Sequence, residues 1–246
     1  VSHPTFADIY DRVIGPDFWG YWWTAFERTI GDHQVTFHSV CDVACGTGET
    51  AYRLAQKGHP VYASDLSEEM IRVARAKCAD LPVTLAVEPM AKTNPPEPVD
   101  LLLCCYDSLN MVGSEDQLVQ TLRAFFAALK PGGHVICDLA TRRHLKEDWG
   151  TREIHAIVGD METVWHTVWD ETQHRATIHL TATVPDEDNG LSVITCRVQE
   201  IGFLKARLDQ LMGDAGFIIR DVRDMIPWTP GDDDGQRLFY LLQRPA

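Results

Sequence analysis

Residues 39–49, Ser-Val-Cys-Asp-Val-Ala-Cys-Gly-Thr-Gly-Glu, constrain the fold more than any other stretch. A short apolar run carrying Asp42 breaks into the turn Ala44-Cys45-Gly46-Thr47-Gly48, and the amphipathic segment Glu49 to Lys57 follows at once. That order is a β-strand, a glycine turn and a helix, the opening of a nucleotide-type binding site. Gly46 and Gly48 reach positive φ and have no Cβ, so a ligand can lie directly against the backbone.

The neighbouring residues restrict the ligand. A dinucleotide fingerprint wants a third glycine three residues after the second, where this chain has Ala51. Glu49 stands where a pyrophosphate would meet the helix N-terminus, and its charge would repel that anion. No Gly-Lys-Ser/Thr follows, which excludes a phosphate-binding loop of the Walker type. The turn suits a nucleoside with a cationic or neutral tail. S-adenosyl-L-methionine fits, with Asp42 and the backbone carbonyls of the turn receiving its ammonium group.

The next β-α unit agrees. Pro60 to Ser64 reads as a buried strand ending in Asp65, an acidic position suited to ribose hydroxyls. Ser67-Glu68-Glu69-Met70 then opens a helix, with Ser67 as N-cap and acidic residues in the first turn.

Further strands are expected at Val83 to Val87, Val99 to Cys104 and His134 to Leu139, with a helix from Glu115 to Leu129. Strands alternating with helices predict a parallel sheet with right-handed crossovers. After residue 145 the rhythm changes. Glu153 to Val158, Glu162 to Trp169, Ala176 to Val184 and Leu191 to Glu200 alternate polar and apolar residues at period two. Turn signals at Gly159-Asp160 and Asp188-Asn189-Gly190 make this an antiparallel meander. A helix from about Lys205 to Asp214 and strands at Phe217 to Met225 and Arg237 to Gln243 return to the core. The expected division is an N-terminal helical lid at 1–38, a core at 39–145 and 203–246, and an insertion at 146–202 standing over the crevice.

Composition narrows the function classes. Across 246 residues the formal net charge is −14, which disfavours a nucleic-acid backbone as partner. No run of eighteen apolar residues and no signal peptide is found, so a cytoplasmic protein without a membrane span is expected. The seven cysteines lack paired metal spacing and read as reduced, buried thiols, with no metal site.

Taken in order, these motifs resemble the class I S-adenosylmethionine-dependent methyltransferases. The resemblance is carried by Asp42 to Glu49, by Ala63-Ser64-Asp65-Leu66-Ser67-Glu68-Glu69-Met70, by Leu103 to Asn110, and by Leu129-Lys130-Pro131-Gly132-Gly133 ahead of Asp138. Phe6-Ala7-Asp8-Ile9-Tyr10-Asp11 looks like the N-terminal Tyr-Asp lid of the small-molecule subgroup. The resemblance implies an α/β, Rossmann-like seven-stranded core with the β meander inserted, and methyl transfer to nitrogen or oxygen of a small-molecule acceptor. It places Ala44 and Gly46 against the aminoacyl part of the cofactor, Asp65 on the ribose, and Leu66 and Met70 over the adenine. Pro89 stands where the family has an adenine-binding Asp, which leaves Glu88 or backbone contacts near Met90 for that role. Tyr10, Trp19 and Trp22 match the lid aromatics, whose faces stabilise a sulfonium. Tyr106, Asp107 and Ser108 fall beside the methyl group. Should a base be needed, Asp107, Glu200 and the meander histidines are candidates. A glycine/sarcosine-type N-methyltransferase, a non-catalytic cofactor-binding module and a nicotinamide reductase are the alternatives, and the assembly is a monomer or homodimer.

Overall fold

A computed structural model describes residues 4–14, 16–186, 190–226 and 228–246. Two helices, α1 (Phe6–Ile14) and α2 (Pro16–Asp32), precede the core. The first half of the core runs β1 (Val40–Val43), α3 (Glu49–Gln56), β2 (Val61–Asp65), α4 (Glu68–Lys77) and β3 (Val83–Val87). It continues with β4 (Val99–Cys104), α5 (Glu115–Ala128) and β5 (Leu129–Ala140). The meander is β6 (Arg152–Val158), β7 (Met161–Asp170), β8 (Arg175–Asp186) and β9 (Gly190–Ile201). The chain then returns through α6 (Lys205–Asp214), β10 (Ile218–Asp224), the two-residue β11 (Thr229–Pro230) and β12 (Arg237–Gln243).

One sheet has the order β3-β2-β1-β4-β5-β12-β10-β11. From β3 to β5 all pairs are parallel, whereas β12 and β10 join antiparallel. This is the Rossmann-like seven-stranded arrangement with a short eighth edge strand. Strand order reverses between β1 and β4, and the crevice opens at their carboxyl ends. All four residues of β1 are buried, as are Leu101 to Cys104 of β4. Such runs, apolar on both faces, are what a sheet covered by helices requires.

The separate sheet β6-β7-β8-β9 is antiparallel throughout. Its inner face carries Thr167, Ile178, Leu180, Cys196, Val198 and Glu200, paired in register across the strands. Outer-face residues such as Ile157 and Val193 are exposed. The turn expected at Asp188-Asn189-Gly190 falls on residues 188 and 189, which lie outside the described residues. Sequence boundaries elsewhere hold within a few residues. The exception is β5, which starts at Leu129 rather than His134, because Leu129 already pairs with Val99.

Candidate active site

The turn after β1 departs from ordinary backbone. Ala44, Gly46 and Gly48 all have positive φ, at 55°, 54° and 79°. At Gly48 a Cβ would stand 2.9 Å from that of Ala74, so glycine lets α3 and α4 pack closely. At Gly46 a Cβ would meet only the Tyr10 ring, 3.8 Å away, because α1 lays that ring over the turn. Ion pairs hold α1 in place: Arg72 to Asp8, Lys77 to Asp11, and Arg12 to Asp160 at the β6–β7 turn. Thr47 also donates to Asp11.

A crevice of about 740 Å³ opens above this turn. Its wall brings together Tyr10, Trp19, Asp42, Ala44, Gly46, Asp65, Leu66, Met70, Glu88, Met90, Tyr106 and Ser108 from the expected set. Asp42 is fully buried and its Oδ2 has no hydrogen-bond partner. Burial pushes its carboxyl up to about 8, against the pull of the Ala51 backbone N–H. An unpaired buried carboxylate oxygen is costly unless a cation or donor arrives. Asp65 accepts from Gly46 N–H at 2.9 Å and from Ser67 N–H at 2.9 Å. A carboxylate has about four acceptor positions, so these backbone bonds leave room for a hydroxyl group. Burial raises the Asp65 pKa, and those backbone donors oppose the rise. Ser67 caps α4 by accepting from Met70 N–H at 3.2 Å, which sets Met70 against the crevice. Glu88 accepts from Tyr62 OH at 2.9 Å and still lines the wall.

Three expected residues stand behind the wall instead. Trp22 is fully buried and donates Nε1–H to Asp138 at 3.0 Å, so its ring belongs to the core. Asp107 does not line the crevice, because Arg237 binds it at 2.6 Å. Glu200 continues the strand face of Cys196 and Val198 past the crevice, 5% exposed, and burial raises its pKa well above the carboxylate range. The resemblance places Asp107 beside the methyl group, but a guanidinium from the opposite end of the chain draws its carboxylate away. Among the meander histidines, His155 is exposed and pairs with Glu153.

The residue that organises this region is Asp138. It accepts from Tyr106 N–H at 2.7 Å, Asp107 N–H at 3.1 Å, Trp22 Nε1–H and Arg237 at 2.6 Å. Tyr106 and Asp107 are consecutive non-glycine residues at positive φ, 66° and 48°. Such backbone persists only where its surroundings over-determine it, and here the Asp138 carboxylate does so. The result fixes the Tyr106 ring against Phe18, Trp19 and Tyr10. Arg237 was missed in the sequence. Its signal is a lone cation opening an apolar strand whose Phe239 pairs with Asp138. Asn110 bridges Ala140 and the Ile201 carbonyl, which ties the Tyr106 loop to β9 in a structural role.

Comparison with known proteins adds the class. Residues 40–133 match a family model described as a methyltransferase domain. YqeM of Bacillus subtilis (strain 168), provisionally named a methyltransferase, is 24% identical over 241 residues, covering 97% of this chain and 96% of its own. A solved S-adenosylmethionine-dependent methyltransferase from Clostridium acetobutylicum ATCC 824 superposes with a TM-score of 0.87 at 23% identity, covering 98% of each chain. CalS10 of Micromonospora echinaspora, an amino pentose methyltransferase solved with S-adenosylmethionine bound, gives 0.72 at 17% identity, covering 99% of this chain and 98% of its own. The structural likenesses show a shared fold, and the matched domain places the chain among enzymes of the methyltransferase class.

Proposed function

We propose that this S-adenosylmethionine-dependent methyltransferase passes a methyl group to nitrogen or oxygen of a small-molecule acceptor. The unpaired, fully buried Oδ2 of Asp42 carries the reading, set beside a left-handed turn on which a ligand can lie against backbone. The residues present fit the cofactor. Asp42 and the turn from Ala44 to Gly46 would hold its aminoacyl end, Asp65 its ribose, and Leu66 and Met70 its adenine. Glu88 and the backbone around Met90 would take the place of the missing acidic residue at Pro89. When bound, the cofactor supplies a methyl group activated on a sulfonium.

The chain's own part is to position and to exclude water, two effects that supply much of the acceleration in such a displacement. Tyr10 and Trp19 close the crevice, Tyr106 is held in place from behind by Asp138, and Ser108 stands at the wall. Asp107 acts on the site through Arg237 and the Tyr106 loop, and neither it nor Glu200 reaches the crevice. In this reading residues 1–38 form the lid, 39–145 and 203–246 the core, and 146–202 the acceptor wall. The seven free thiols suit a reducing, cytoplasmic setting. Among the described residues no helix is long and apolar enough to cross a membrane.

Incubation with methyl-labelled cofactor and a metabolite extract tests this. A labelled small-molecule product is expected. Tight cofactor binding with no transfer to any extract component would mark a catalytically silent binding module instead.

A further inference from the structure

The crevice wall is one-sided in charge. Among the described residues it contains Asp42, Asp65, Glu69 and Glu88, and no lysine, arginine or histidine. Three neighbouring cations are held by other carboxylates: Arg12 by Asp160, Arg72 by Asp8, and Lys77 by Asp11 and Glu49. Behind the Tyr106 loop, Asp107, Asp138 and Glu200 are all buried around the single guanidinium of Arg237, which already binds two of them.

The crevice is also walled by Phe6, Tyr10, Trp19, Tyr106, Cys196 and Val198. Aromatic faces attract cations, and low-dielectric walls focus the field of the carboxylates into the cleft. The cofactor brings two cationic centres and one carboxylate, a single net positive charge that Asp42 balances once the cofactor's ammonium displaces the Asp42 proton. Asp65, Glu69 and Glu88 remain on the wall as the acidic groups. Among the described residues the wall offers an anionic acceptor no guanidinium or ammonium to replace its hydration, whereas recognition of phosphate or carboxylate depends on such groups.

We infer that the acceptor is an amine bearing no phosphate, carboxylate or other anionic group. It enters the crevice as an ammonium ion and gives one proton to solvent water. Its freed nitrogen lone pair then takes the methyl carbon as the S–CH3 bond of the cofactor breaks, leaving a methylated ammonium and the neutral thioether S-adenosylhomocysteine. This rests on the transferase reading and names its substrate class. It sets the chain apart from any relative whose acceptor is anchored through an acidic group.

The test separates a metabolite extract at pH 7 into cation-exchanger-retained, anion-exchanger-retained and unretained fractions. Each is incubated with protein saturated in S-adenosylhomocysteine and ultrafiltered, to see which compounds the protein holds. Each is then supplied with methyl-labelled cofactor. Retained compounds and labelled product should both come from the cation-exchanger fraction, at least tenfold above the other two. Product from the anion-exchanger or unretained fraction overturns the inference and leaves the transferase reading standing. No product from any fraction, with S-adenosylhomocysteine bound, contradicts the transferase reading and removes the inference with it.

Discussion

The two walls of the crevice are built in different ways. The wall from β1 and β2 is made of backbone: a left-handed turn at Ala44 to Gly48, with Asp65 bonded to two main-chain N–H groups. The wall from β9 is made of exchangeable side chains, Cys196 and Val198, on a sheet whose outer face is open to solvent. Backbone at positive φ tolerates few substitutions, while a strand face accepts many side chains at the same register. A ligand common to many proteins can be written into the first wall, and an acceptor particular to one protein into the second.

The comparison breaks if the core wall proves tolerant or the meander proves sensitive. Arg237→Met should have the largest effect. It leaves Asp107 and Asp138 as unpaired buried carboxylates, and breaking a buried ion pair by removing one partner costs about 3–5 kcal/mol. Denaturant unfolding would measure this, and an Arg237→Met/Asp107→Asn double variant, which removes the stranded charge and leaves the Asp138 hydrogen bonds in place, should recover part of the loss. Gly48→Val should cost about 3 kcal/mol, from a side chain driven into Ala74 and from a left-handed backbone. A cost near zero would mean that α3 and α4 are not held by this contact.

Asp65→Ala should weaken S-adenosylhomocysteine binding about 10- to 100-fold, the scale of lost hydrogen bonds to a charged group. Unchanged affinity would refute its ribose role. A smaller effect is expected from pH. In the folded chain Asp42 holds its proton up to about pH 8, against about 3.9 when unfolded. The folded state binds the extra proton, so this residue's contribution to stability is complete below the unfolded value. It falls as pH rises towards the folded value and is level above that. A ligand ammonium beside Asp42 favours the carboxylate, so binding below about pH 8 should release a proton. Calorimetry at pH 7 in buffers of different ionisation enthalpy should detect it, and Asp42→Asn should abolish it. On the other wall's outer face, Ile157→Thr should change stability by less than about 0.5 kcal/mol, as surface substitutions generally do. A large loss would show that this face is covered in solution.

Legibility in the sequence followed the same divide. β1, the glycine turn, Asp65 and the Ser67 cap could be read because local pattern and backbone need coincide there. The meander strands could be read from period-two alternation, as could α6 and β12 from their apolar spacing. Residues whose role depends on distant partners were placed less well. Trp22 looked like a cofactor aromatic, yet its Nε1 is drawn into the core by Asp138, 116 positions away. Asp107 looked like a base, but its partner is Arg237, 130 positions away. Nothing local marks either pairing. Only the antiparallel register of β12 on β5 brings Arg237 to that carboxylate pair.

The central claim is that the Asp42–Gly48 turn and Asp65 bind an aminoacyl nucleoside and not a dinucleotide. Titration calorimetry of the whole chain with S-adenosylhomocysteine and, separately, NADH tests it most directly. Saturable binding of S-adenosylhomocysteine with no heat from NADH is the predicted result. Binding of NADH without S-adenosylhomocysteine would contradict it.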